Sequence, residues 1–129
     1  MAANFIKLNE TDLEEKLAGL SPYNATVPVE VEGIIEGSAY RQGYLIFLPM
    51  YKGLLRIGET LVEIEYEKHD LWDSLPLSIN LLLASEKTSS PIKVQGQLQS
   101  YIDNMKETHF LIRVSGLEYK GIRESYTTL

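Results

Sequence analysis

Hydrophobic and polar positions alternate with a period of two over most of the chain. Val27, Val29 and Val31 point one way while Glu30 and Glu32 point the other, and Gly33 then permits a bend or bulge. The stretch Leu61 to Glu67 alternates again, with Val62, Ile64 and Tyr66 inward, and Leu75, Leu77, Ile79, Leu81 and Leu83 form another inward row. Ile92, Val94, Gly96, Leu98 and Ile102 alternate with Lys93, Gln95, Gln97 and Gln99, the cleanest strand signal present. Phe110, Ile112 and Val114 supply a partner strand across the polar loop Asp103 to Glu107, which predicts a hairpin. Tyr44 to Leu48 is apolar throughout and reads as a central strand covered on both faces, ended by Pro49.

Helical spacing occurs once. Thr11-Asp12-Leu13-Glu14 has the form of a capping box, Leu13, Leu17 and Leu20 follow on one face, and Gly19 with Pro22 provides the stop. The prediction is a short helix over 10–20 that must dock its leucines, because two turns are unstable alone. The expected fold is therefore mainly β. It is a single antiparallel six- to seven-stranded barrel or sandwich over 1–129, with strands spanning 26–119 and no second strong helix. There is a faint internal echo. Pro28-Val29-Glu30-Val31-Glu32-Gly33 is similar to Pro91-Ile92-Lys93-Val94-Gln95-Gly96, and Tyr51-Lys52-Gly53 returns as Tyr119-Lys120-Gly121.

Composition narrows the function classes. At 129 residues with 44% hydrophobic content, the chain can bury a core without staples, which argues against disorder. Twelve Lys and Arg against 18 Asp and Glu give a formal charge of −6, and no stretch clusters the basic residues, so a nucleic-acid groove is disfavoured. The absence of cysteine removes disulfides, thiolate nucleophiles and zinc knuckles. The first residues lack the pattern of a signal peptide, and the apolar runs fall far short of the ~20 residues that span a bilayer, so no membrane insertion and a cytoplasmic location are expected.

The candidate chemistry is thin. His69-Asp70 beside Trp72-Asp73 could orient an imidazole as a base, yet neighbours in sequence rarely face one another and no nucleophile motif accompanies them. Glu63, Glu65 and Glu67 share a strand face and could attract a divalent cation, but without calcium-loop spacing they read as a solvated face that blocks edge pairing. His109 stands alone at a strand start, so a two-histidine zinc site would require His69 to reach it. Arg41, Lys52 with Gly53, Arg56 with Gly58, and Arg113 could together form an anion site from guanidinium forks and glycine amides. No catalytic residue, metal or cofactor is assigned.

Leu75-Pro76-Leu77-Ser78-Ile79-Asn80-Leu81, Pro91 to Leu98, and Phe110-Leu111-Ile112-Arg113-Val114 with Leu117 resemble the later strands of a PilZ-type barrel. That family consists of small six-stranded bacterial barrels, many of which bind cyclic di-GMP and relay the signal to a partner. The chain departs from the ligand-binding members. No two arginines are four apart, and no Asp or Asn begins a D/N-x-S-x-x-G turn, so no ligand residue carries over. The resemblance implies a non-canonical member acting through protein contacts. The well-patterned β core, the acidic charge and the lack of a catalytic constellation likewise lead to the expectation of a non-enzymatic regulatory or adaptor barrel that binds another protein, its N-terminal helix sealing one end of the barrel or docking on a second copy. Two alternatives stand beside it: a sensor of a small ligand such as a cyclic dinucleotide, and an acidic inhibitor or immunity-type protein masking a basic partner.

Overall fold

The computed structural model describes residues 5–20, 26–41, 50–67 and 77–125. In chain order these form β1 (Ile6–Lys7), α1 (Glu10–Ala18), β2 (Val27–Arg41), β3 (Met50–Ile57), β4 (Thr60–Glu67), α2 (Leu77–Thr88), β5 (Ile92–Ile102), β6 (Thr108–Tyr119) and β7 (Ile122–Ser125). The strands run in the order β2-β3-β4-β6-β5, and β5 returns to β2, closing a five-stranded barrel. Strand β1 adds to β2, and β7 adds to β6.

The expected antiparallel barrel is mixed. Strand β4 runs parallel to β6 through Glu63↔Leu111, Ile64↔Ile112 and Glu65↔Arg113, and β1 runs parallel to β2. The cause is the connection after β4. A hairpin there would keep the strands antiparallel, whereas a helical crossover and the β5–β6 hairpin deliver β6 alongside β4 in the same direction. The predicted β5–β6 hairpin is present, with Ile102 opposite Thr108. The proposed strand over Tyr44 to Leu48 lies outside the described residues.

A second correction concerns the row read from Leu75 to Leu83. Its described part belongs to α2, in which Leu81, Leu82 and Ser85 are buried and Leu83 is 37% exposed. Consecutive burial of Leu81 and Leu82, followed by Ser85, is a helical period, and the run Leu-Leu-Leu-Ala-Ser-Glu-Lys favours helix over strand. The Ser85 hydroxyl donates to the Ser90 carbonyl at 2.7 Å and ties the end of the helix to the entry of β5.

Helix α1 forms as expected but starts differently. Asn9 is its N-cap, accepting from the Asp12 amide at 2.8 Å, in place of the predicted Thr11 cap. Two of the helix's acidic residues have another task. Glu10 accepts from the Glu59 amide at 3.1 Å and Glu14 from the Thr60 hydroxyl at 3.2 Å, so α1 is fastened to the β3–β4 turn while Leu13 and Leu17 enter the core.

Strand β2 makes closure possible by changing partners along its length. Val27–Gly33 pair with β5, and Ile34–Arg41 pair with β3, with a bulge between Ile35 and Gly37. Gly33 sits at the handover, where an added Cβ would lie 2.4 Å from the Arg56 carbonyl oxygen. Gly96 lies opposite the β6 bulge at Ser115, where a Cβ would come within 2.1 Å of the Arg113 carbonyl oxygen. The two echoed segments are direct neighbours, paired antiparallel with Val31 opposite Val94, its own counterpart in the echo. The second landmark differs: Tyr51-Lys52-Gly53 lies within β3, whereas Tyr119-Lys120-Gly121 leads into the β6–β7 turn.

Inside the barrel, Val29, Val31, Leu55, Val62, Ile64, Ile92, Val94, Leu98 and Ile112 meet two sequestered tyrosines, Tyr51 and Tyr66, and leucines from both helices. Burial pushes the Tyr51 phenol up to about 12, so it stays neutral there. The close approach at Gly96 gives a direct test. Gly96→Ala lowers stability in urea by about 3 kcal/mol, the upper part of the range for overpacking. Gly37→Ala, with nothing within 4 Å of its Cβ, costs about 1 kcal/mol or less. Equal midpoints for the two variants would contradict the packing.

Candidate functional site

The outward side chains of β3, β4, β6 and β5 form one surface whose rows follow from the register, because paired residues project to the same side of a sheet. One row is Lys52–Glu65–Arg113–Gln97, and the next is Leu54–Glu63–Leu111–Gln99. A third level holds Arg56 opposite Leu61 on β3–β4 and Tyr101 opposite His109 on β5–β6. Successive rows are about 7 Å apart along a strand, and adjacent strands are about 4.8 Å apart. Two large apolar side chains stand open on this face: Leu54 is 40% exposed and Leu61 51%.

Lys52, Arg56 and Arg113 therefore share a surface, although they are 61 residues apart at the extremes of the sequence positions 52 and 113. They do not make a basic pocket. Glu65 stands between Lys52 and Arg113 in their row, and the Arg56 guanidinium bonds the Glu36 carboxylate and donates to the Gly58 carbonyl at 2.9 Å. Arg41 ends β2 opposite Met50, and its side chain lies outside the described residues. The His69-Asp70 and Trp72-Asp73 cluster also lies outside them.

The acidic strand face is confirmed in register for Glu63 and Glu65, but Glu63 is not merely solvated. Its carboxylate accepts from the Tyr101 hydroxyl at 2.7 Å and meets His109 Nδ1 at 3.1 Å. The other ring nitrogen of His109, Nε2, lies 2.6 Å from Asp103 Oδ2, and the imidazole stacks on Tyr101 with centroids 5.1 Å apart. Asp103 is itself fixed, since its Oδ1 accepts from the amides of Met105 at 2.8 Å and Glu107 at 2.9 Å. His109, expected to stand alone, is thus held between two carboxylates that come from different parts of the barrel.

The electrostatics follow from these contacts. The hydrogen bond to Asp103 raises the His109 pKa above its ordinary 6.5, against the opposing effect of desolvation, and the Glu63 charge adds to the rise. Asp103 is lowered from 3.8, first by the Glu107 amide and then by His109. Burial, followed by the hydrogen bond to Glu63, pushes Tyr101 up to about 12. The arrangement fixes the imidazole and can hold a proton between it and either carboxylate. Among the described residues, no serine or threonine is placed against His109 as a nucleophile.

Tyr101 and Asp103 carry this arrangement and were not singled out from the sequence. A signal existed in part: a hairpin across residues 103–107 sets Tyr101 opposite His109. The approach of Glu63 had no such signal, because it depends on the parallel β4–β6 pairing. No protein-family model matches the chain, and no curated protein matches it significantly.

The raised His109 and lowered Asp103 values predict a defined pH window. Histidine stabilisation is complete below the unfolded value of 6.5 and is lost as pH rises through the higher folded value. The Asp103 contribution is present above 3.8 and is lost as pH falls through the lower folded value. In chelator-containing buffer, the urea-midpoint advantage of the wild type over His109→Gln is therefore greatest near pH 5.5, within the window of about pH 4 to 6.5 set by the two reference values, and shrinks by pH 8.5. An advantage that is constant from pH 5 to 9 would exclude this coupling.

Proposed function

We propose that this chain is a non-enzymatic binding barrel, of the regulatory or adaptor kind, that engages another protein through the outer face of β3 and β4. The observation that carries this reading is the pair Leu54 and Leu61, exposed on a rigid sheet and bordered by Lys52, Arg56, Glu63 and Glu65. Apolar anchors within a rim of both charge signs suit a protein partner, for which the leucines give contact area and the charges give orientation. The order β2-β3-β4-β6-β5, with a helix between the third and fourth barrel strands, also has the arrangement of OB-type Greek-key barrels, in which the second and third strands present the binding face. This likeness supports the choice of face and says nothing of the ligand. Of the segments that resemble PilZ-type strands, the one containing Leu77 to Leu81 is helical, so that resemblance rests on β5 and β6.

One observation favours a second reading, a small anionic ligand: Lys52 and Arg113 lie in the same row, two strands apart. Glu65 between them weakens any phosphate site, which ranks the protein-contact reading first. Affinity recovery from the native lysate tests the choice, using wild type beside a Leu54→Glu/Leu61→Glu double variant matched in thermal stability. The expected result is a protein retained by the wild type at near-stoichiometric yield and lost with the variant. Identical recoveries would overturn the assignment of the face. Calorimetry with cyclic di-GMP at about 100 μM protein is expected to give no heat, and heat abolished by Lys52→Ala or Arg113→Ala would promote the second reading.

A further inference from the structure

We propose that His109, Asp103 and Glu107 form a binding site for a divalent transition-metal ion of the zinc type, at the mouth of the β5–β6 hairpin. The three residues can each offer one ligand atom, and those atoms all lie within 4.8 Å of one another. Imidazole with two carboxylates is a donor set suited to zinc, with a fourth position left to water. It adjoins the Leu54 and Leu61 surface through Glu63, but none of its three ligand residues belongs to that surface and it does not depend on what docks there.

What separates the group from ordinary surface acids is the way the imidazole is held. Glu63, from another strand, meets Nδ1 at 3.1 Å, leaving Nε2 directed to Asp103. A carboxylate on one imidazole nitrogen fixes the ring orientation and raises the basicity of the other, as second-sphere carboxylates do for metal-bound histidine. Glu63 is steadied in turn by the Tyr101 hydroxyl, and the Tyr101 ring lies against the imidazole. Asp103 spends Oδ1 on two backbone amides and keeps Oδ2 toward the histidine, so its orientation is also set in advance. Glu107 sits in the same loop, its carboxylate exposed. A metal ion would take the place of the proton on Nε2, which passes to solvent, while Nδ1 keeps its proton and donates to Glu63.

The probe is zinc chloride alone, titrated calorimetrically into the full chain at pH 7.5 in a non-chelating buffer, with cobalt(II) absorption as a second readout. Saturable binding of one ion is expected, with visible cobalt bands of low coordination number. His109→Ala should abolish it. Glu107→Gln, which alters only an exposed side chain and leaves the fold intact by circular dichroism, should weaken it at least tenfold. Glu63→Gln, which touches no ion, should weaken it about 10- to 100-fold, the effect of losing a second-sphere carboxylate. His69→Ala should leave it unchanged. No saturation up to 1 mM zinc, binding that survives His109→Ala, or binding left unweakened by Glu107→Gln would overturn the site, as would loss of binding in His69→Ala.

Discussion

Everything in this barrel depends on one strand serving two neighbours. The first half of β2 bonds β5 and the second half bonds β3, so a single continuous stretch from Val27 to Arg41 both starts the sheet and shuts it. The handover demands that another backbone come closer than any side chain allows, which is why glycine occupies position 33. Once β2 is shared in this way, both long edges of the sheet disappear and only the short β1 and β7 additions remain to be shielded. The outer face of β3, β4 and β6 gains its rigidity from the same closure.

The parts of the fold visible in the sequence are those governed by local period. Alternation in β4, β5 and β6 reports which side of each strand meets the core, and the polar loop from Asp103 to Glu107 reports a hairpin. The described part of the stretch Leu75 to Leu83 misleads because Leu77, Ile79, Leu81 and Leu83 fit an alternating template, whereas the burial of Leu82 and Ser85 follows a helical one. Choosing between these requires knowing what each side chain packs against, and that is tertiary information. The α1 cap shifts from Thr11 to Asn9 for a related reason: Glu14 is drawn to Thr60, away from a reciprocal bond at the helix start. Parallel pairing of β4 with β6 has no local signature at all.

The candidate site divides along the same line. Tyr101 and His109 are hairpin partners and follow from strand parity, while the arrival of Glu63 beside them follows only from the non-local β4–β6 contact. The basic residues show the converse. Lys52, Arg56 and Arg113 reach one surface, as an anion site would require, but each is set among carboxylates, and the interleaving is written in the register rather than in any motif. A chain of net charge −6 thus presents a surface patterned by sign, which is a poor match for a uniform polyanion.

The β2–β5 seam also bears on how the chain reaches this state. The β3–β4 and β5–β6 pairs join residues that are close in sequence, so their ends meet after little loss of chain freedom. Val31 and Val94 are 63 positions apart, so their pairing closes a far longer stretch of chain. Pairings of such separation cost the most chain freedom to close, so among the described strand pairs this seam is the most demanding in entropy. With this seam open, β2 and β5 would be bare edges, and charges such as Glu30, Glu32 and Lys93 on those strands disfavour edge-to-edge pairing between molecules.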